Sequence, residues 1–183
     1  MIASAAEPGA AGHDHRNSVA RAATPGIAAL LEAGVPHEVV KFDRDSWDPR
    51  EPSFGVEAVQ ALTKAGVTAP EQIYKTLVIA VPDGLAVAMV PASARLSLKA
   101  AAAALGVAKA GMAEPAAAER ATGYVLGAVS PFGQRKRLPT VVDAGALAFE
   151  RVYCSAGRRG WDVAVSPQDL IRLTGAITAD IRA

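Results

Sequence analysis

The side chains able to do chemistry in this 183-residue chain are few, and they gather where apolar runs begin or give way to glycine. Tyr74-Lys75-Thr76 opens the most apolar region. Gly123-Tyr124 leads through Gly127 to Ser130-Pro131-Phe132-Gly133, followed by the basic run Arg135-Lys136-Arg137. Ser155-Ala156-Gly157-Arg158-Arg159-Gly160 precedes Trp161-Asp162. Glycine at a strand end lets a ligand approach main-chain amides closely. Between Tyr124 and Asp162 six basic residues stand against three acidic ones, a local +3 in a chain whose formal net charge is +1. That excess is either solvated loop charge or the footprint of an anion or a nucleic acid. Lys75 taken alone would pass as a solvated lysine at the end of a strand.

Other chemistries are excluded by what the chain lacks. There is no phosphate loop, no dinucleotide fingerprint after a strand and no His-rich metal spacing. His13 and His15 have no third ligand nearby, and His37 sits in a stretch of ordinary amphipathic pattern, so neither a metal centre nor a Ser/His/Asp triad is expected. A single cysteine, Cys154, excludes an internal disulfide, and its apolar neighbours Val152 and Tyr153 point to a buried thiol rather than a nucleophile. Near-neutral charge argues against a globally basic, DNA-binding protein. No apolar stretch reaches the ~18–20 residues of a membrane span. The stretch around Thr76–Ala94 is broken by Pro82-Asp83-Gly84, and no secretory signal is recognisable, so a soluble cytoplasmic protein is expected.

The elements that must hold these residues follow from caps, turns and periodicity. Although 41 of the apolar residues are alanine, enough larger ones remain for one core. Residues 1–23, rich in Ala and Gly, cannot bury enough area to offset their ordering entropy and are expected to form a disordered extension, with one domain over 24–183. Thr24-Pro25 and Ser166-Pro167 are N-caps followed by an N1 proline; Ser53 and Ser97 are further caps, and Gly34, Gly66 and Gly106 are stops. Helices are therefore predicted from residue 25 to 33, 53 to 65, 97 to 105, 114 to 120 and 167 to 173. A hairpin over Ile73–Val81 and Leu85–Val90 turns at Pro82-Asp83-Gly84. Other strands are expected at 37–42, 107–112, 124–129, 140–143, 151–155, 162–165 and 177–181, with a charged, proline-bearing loop over 44–52. Hairpins outnumber strict βαβ units, which predicts an α+β fold with a mixed sheet.

The same residues carry a resemblance. Ile73-Tyr74-Lys75-Thr76-Leu77, Thr122-Gly123-Tyr124 with Gly127, Ser130 through Pro139, and Ser155 through Gly160 resemble the YbaK family of Cys-tRNA(Pro) deacylases, relatives of the editing insertion of bacterial prolyl-tRNA synthetases. The resemblance runs in order from about Thr24 to Ile181, departing at the N-terminal extension and in a few extra residues between Phe54 and Lys75. It implies a compact domain whose mixed sheet curls into a partial barrel around a small pocket, with helices packed around it. It further implies hydrolysis of a misattached amino acid from the 3′ end of tRNA, without metal or cofactor, beside prolyl-tRNA synthetase. In the cysteine-acting branch, which Tyr74-Lys75-Thr76 and the lack of any histidine after His37 favour, the substrate's own thiol attacks its carbonyl. By the same resemblance Lys75 is the catalytic residue. Phe54, Thr76, Gly127, Ser155 and Asp162 line the substrate pocket. Arg135, Lys136, Arg137, Arg158 and Arg159 are the candidates for contacting the tRNA acceptor end. A non-catalytic small-ligand or tRNA-binding module of the same fold, or a deacylase for Ala- or Ser-charged tRNA, are the alternatives.

Overall fold

Hydroxyl caps start three helices where the sequence predicts them. In the computed structural model, which describes residues 22–42, 54–64, 66–67 and 69–183, Thr24 caps α1 (Pro25–Glu32), Ser97 caps α3 (Leu98–Leu105) and Ser166 caps α5 (Pro167–Thr174). Each hydroxyl accepts an N–H of the first turn, which would otherwise lack a partner. The other helices are α2 (Phe54–Lys64) and α4 (Pro115–Thr122). The Ser53 cap, the loop over 44–52 and nearly all of the expected extension lie outside the described residues.

Eight strands complete the described chain: β1 (Glu38–Lys41), β2 (Tyr74–Val81), β3 (Gly84–Pro91), β4 (Gly111–Met112), β5 (Thr140–Asp143), β6 (Val152–Arg158), β7 (Trp161–Val165) and β8 (Ile177–Ala179). They form two sheets, ordered β1-β7-β6 and β4-β2-β3-β5-β8, the second mixed because β3, β5 and β8 run parallel. The α+β class is therefore as expected. The strand pairing makes two sheets instead of one, and they do not close on each other. Among the described residues one parallel bridge, Ile73 with Tyr153, joins their backbones, and side chains from both fill a common core. Beyond that bridge β2 goes on to pair with β4, while β6 pairs with β7, so the sheets part.

The predicted strand over 124–129 is a loop. Gly123 takes the left-handed conformation that ends α4, and Gly127 takes it again at φ 81°, so an extended run cannot form between them. The apolar residues there do a different job. Tyr124 and Val129 are buried against Val78 and Ala118, while Val125 and Leu126 face solvent. The strand predicted over 107–112 shrinks to its last two residues, which add to the edge of β2 at Ile79 and Ala80.

Both faces of β2 are covered, as its continuous apolarity requires. Alternation puts Tyr74 with the core that contains Val87, Met89, Val142, Val163 and α1. Leu77 and Ile79 face α3 instead. Ile73, on that same side of the strand, packs with Leu62 of α2 and Tyr153 of β6. Central β3 is sealed: Val87, Ala88, Met89 and Val90 are all fully buried.

Candidate functional site

Lys75 lies one residue inside β2, opposite Val90 of β3. Its side chain reaches past the end of β3, where Nζ donates to the carbonyls of Ala92 (3.2 Å) and Ala94 (2.7 Å). The turn that offers them is itself fixed, because Ala92 N donates to Ile73 O at 2.7 Å. Half-burial holds the lysine below its ordinary pKa, since desolvation penalises the ammonium. Two of its three donors are thus committed to positioning, and one remains.

Register brings Ser155 and Asp162 to the same place. The bridge pairs Ile73 with Tyr153 in parallel, so by alternation Lys75 and Ser155, each two residues further on, turn to the same face as that pair. Asp162 of β7 is the direct partner of Ser155, and Val40 of β1 continues the row. Ser155 Oγ accepts Gly157 N at 3.1 Å, which sets the bulge that follows. Asp162 is only 7% exposed, and among the described residues its carboxylate makes no hydrogen bond or ion pair. Burial alone pushes it up to about 7. A buried, unpaired acid titrating near neutrality, in line with a half-buried lysine, is the kind of arrangement that sites for proton transfer show.

The other predicted residues are placed unequally. Phe54 opens α2, which covers this face through Leu62; its side chain lies outside the described residues. Thr76 follows Lys75 and by alternation points to the opposite face of β2, where its Oγ1 is buried without a partner. Gly127 is exposed in a loop tied down at three points: Leu126 N to Glu119 Oε1 (3.0 Å), Ala128 N to Val125 O (3.0 Å), and Arg159 Nη2 to Leu126 O (3.4 Å). Tyr124 anchors the base of that loop by donating its hydroxyl to Phe132 O at 2.6 Å. Cys154 is fully buried, and burial together with Asp162 pushes its thiol pKa up, as befits a packing residue.

The local basic excess is divided in two. Arg135 and Lys136 are held by their amides on the C-terminal carbonyls of α4. Arg137 lies over Gly175 at the end of α5, and with Lys136 it lines a pocket of about 150 Å³ beside Ala29 and Phe132. Gly133 sets this loop on α1, in the left-handed conformation and against the Pro25 carbonyl, where any Cβ would collide. Because α1 packs on the Cys154 side of β6, the cluster sits behind the sheet relative to Ser155. Arg158 and Arg159 instead occupy the tip of the β6–β7 hairpin, next to the Gly127 loop. Lys41 and Trp161, which spacing did not single out, also meet at that tip.

Residues 54–173 match the aminoacyl-tRNA editing domain. The chain belongs to that family. It is an aminoacyl-tRNA deacylase. Among curated proteins, a candidate Cys-tRNA(Pro)/Cys-tRNA(Cys) deacylase of Enterococcus faecalis, EbsC, is 35% identical over 111 residues, 60% of this chain and 68% of the relative. The crystal structure of a candidate trans-editing enzyme for prolyl-tRNA synthetase superposes with a TM-score of 0.68 at 25% identity, covering 98% of this chain and 99% of its own. The hypothetical protein APE2540 shares the fold at a TM-score of 0.73 and 23% identity, over 87% of this chain and all of its own. No helix among the described residues is long and apolar enough to cross a membrane.

Proposed function

We propose that the unit over residues 24–183 removes cysteine from mischarged Cys-tRNA(Pro), acting in trans beside prolyl-tRNA synthetase, and that the Lys75–Ser155–Asp162 row is its active site. One observation carries this reading: a tethered lysine and an unpaired buried acid share one face at the gap between the sheets, while Cys154 is sealed in the core. The arrangement supplies a cation and a proton acceptor, and the nucleophile comes from the substrate. The cysteine thiol gives its proton to Asp162 as its sulfur bonds to the ester carbonyl carbon. The bond from that carbon to the ribose oxygen then breaks, the oxygen takes the proton back from Asp162, and a cyclic thioester leaves for water to open. The remaining Lys75 N–H donates to the developing oxyanion, a role worth roughly 10²–10³ in rate where one donor is concerned. Gly127 offers backbone beside the carbonyl and Phe54 completes the pocket, while Thr76 faces away from it on the other side of β2. The name of the Enterococcus relative and the prolyl-tRNA trans-editing structure both support this substrate.

The test is a panel of Cys-, Ala- and Ser-charged tRNA(Pro), with Lys75→Ala as control. Release of cysteine that is lost in the variant is the expected result. Equal release of alanine would replace the thiol mechanism by water attack, and undiminished release by Lys75→Ala would remove the site assignment.

A further inference from the structure

Three strands place Lys41, Trp161 and Arg158 in one row across the tip of the smaller sheet. Trp161 is paired with Lys41 on one side and with Arg158 on the other. Lys41 Nζ lies 4.0 Å from the centre of the Trp161 ring and the Arg158 guanidinium carbon 5.0 Å from it. Phe42 N donates to Gly160 O at 2.9 Å, fastening β1 to the hairpin turn. Trp161 is half-buried and packs on the core behind it, whereas both cations are exposed. Other surface arginines pair with carboxylates, Arg151 with Glu38 and Arg172 with Asp169. Lys41 and Arg158 make no ion pair among the described residues, and the indole holds both at fixed places.

We propose that Lys41, Trp161 and Arg158 form a phosphate cradle for the single-stranded 3′ end of the RNA, with Trp161 the platform that positions both cations. The reading rests on charged tRNA being the substrate, and not on which amino acid it carries. Long cationic side chains lose rotamer freedom when they bind, and cations already held on a ring lose less of it. Position selects the single strand. The row lies one residue along the strands from Ser155 and Asp162, a rise of about 3.3 Å. An ester at Ser155–Asp162 therefore leaves only the terminal nucleotides within reach of the cradle, and the duplex stem begins beyond them. The chain must cross the hairpin tip from one face of the sheet to the other, which an unpaired strand can do. Cationic and aromatic side chains together are the usual means of holding unpaired nucleic acid.

The experiment measures binding of an uncharged RNA hairpin ending in a 3′-ACCA overhang, by fluorescence anisotropy across a salt series. Each phosphate contact on a single strand adds about 0.7 to the slope of log affinity against log salt. Lys41→Ala/Arg158→Ala is expected to shallow the slope by about 1.4, and to do nothing to binding of a blunt hairpin. Trp161→Leu should weaken overhang binding several-fold with Trp161→Phe restoring most of it, and should raise KM for charged tRNA while kcat stays within about twofold. An unchanged slope in the double variant, or the same loss on the blunt hairpin, overturns the cradle. Should wild-type protein bind the overhang with the expected slope yet release no cysteine, the amino-acid assignment falls and the cradle stands.

Discussion

The centre of β3 and the gap between β2 and β6 are only a few residues apart, yet they obey opposite rules. At Val87–Val90 every side chain is apolar and buried, and both edges of the strand are paired, with β2 on one side and β5 on the other. At the gap, Lys75 is held by two carbonyls, and Asp162 is buried with no hydrogen-bond or ion-pair partner among the described residues; on the other face of β2 the Thr76 hydroxyl is enclosed without a partner. Buried polar groups are normally satisfied because leaving one unmade costs about 1–3 kcal/mol. The gap tolerates a half-buried lysine and a buried acid because the sealed strands beside it hold the backbone in place. Stability is concentrated in one region so that chemistry can be kept in the other.

The contrast can be broken most sharply at Lys75. Lys75→Ala should lower kcat/KM for cysteine release by 10²-fold or more, on the order of 3–4 kcal/mol of transition-state stabilisation. Its melting temperature should stay within a few degrees, since the residue is only half-buried. A collapse in melting temperature would make it a structural lysine. The converse test is Met89→Ala, which removes a fully buried side chain from the sealed strand. About 2–5 kcal/mol of destabilisation in a denaturant titration is expected, with unchanged activity per folded molecule.

Asp162 links the two regions through pH. Its folded pKa of about 7 lies above the ordinary value of 3.8, so the folded state holds the proton more tightly than the unfolded chain. Stability from this group is fully present below pH ~4, declines as pH rises towards 7, and is gone above it, a difference on the order of 4 kcal/mol. Asp162→Asn should therefore gain stability relative to wild type between pH 4.5 and pH 8 in thermal melts. Wild-type cysteine release should rise through about pH 7, where the carboxylate forms, and the variant should lose that inflection. A rise that survives the substitution would assign the proton to the substrate thiol alone. The smallest effect is expected at Thr76. Thr76→Val removes an unsatisfied hydroxyl and should stabilise the fold by up to about 1 kcal/mol. If activity is also unchanged, Thr76 belongs with the core and not with the site.

Local chemistry made much of the fold legible. Thr24, Ser97 and Ser166 each cap the helix they announce, because a cap acts over three residues and needs no distant partner. Pro82-Asp83-Gly84 turns the β2–β3 hairpin for the same reason. The 124–129 strand fails on information of another kind. Its apolar residues fit a strand, but its left-handed glycine and the burial of Tyr124 on Phe132 make it a tethered loop. Among site residues, Lys75, Ser155 and Asp162 are visible as polar residues at strand ends, and the resemblance adds their roles.

By itself the sequence determined which segments pair and cap, where the polar residues interrupt them, and that the chain carries few groups able to act as a nucleophile. All of these follow from interactions spanning a handful of residues. Only the tertiary structure decided that one bridge, Ile73 to Tyr153, sets the two sheets so that Lys75 and Ser155 turn to one face, with Asp162 paired to Ser155. It alone divided the basic residues between α5 and the hairpin tip, and seated Lys41 on Trp161. These outcomes depend on register between strands some 80 to 120 residues apart in the chain, and a shift of one residue would turn every side chain of a strand to its other face. Pairing on that scale is chosen by how whole faces pack, so no local motif can encode it.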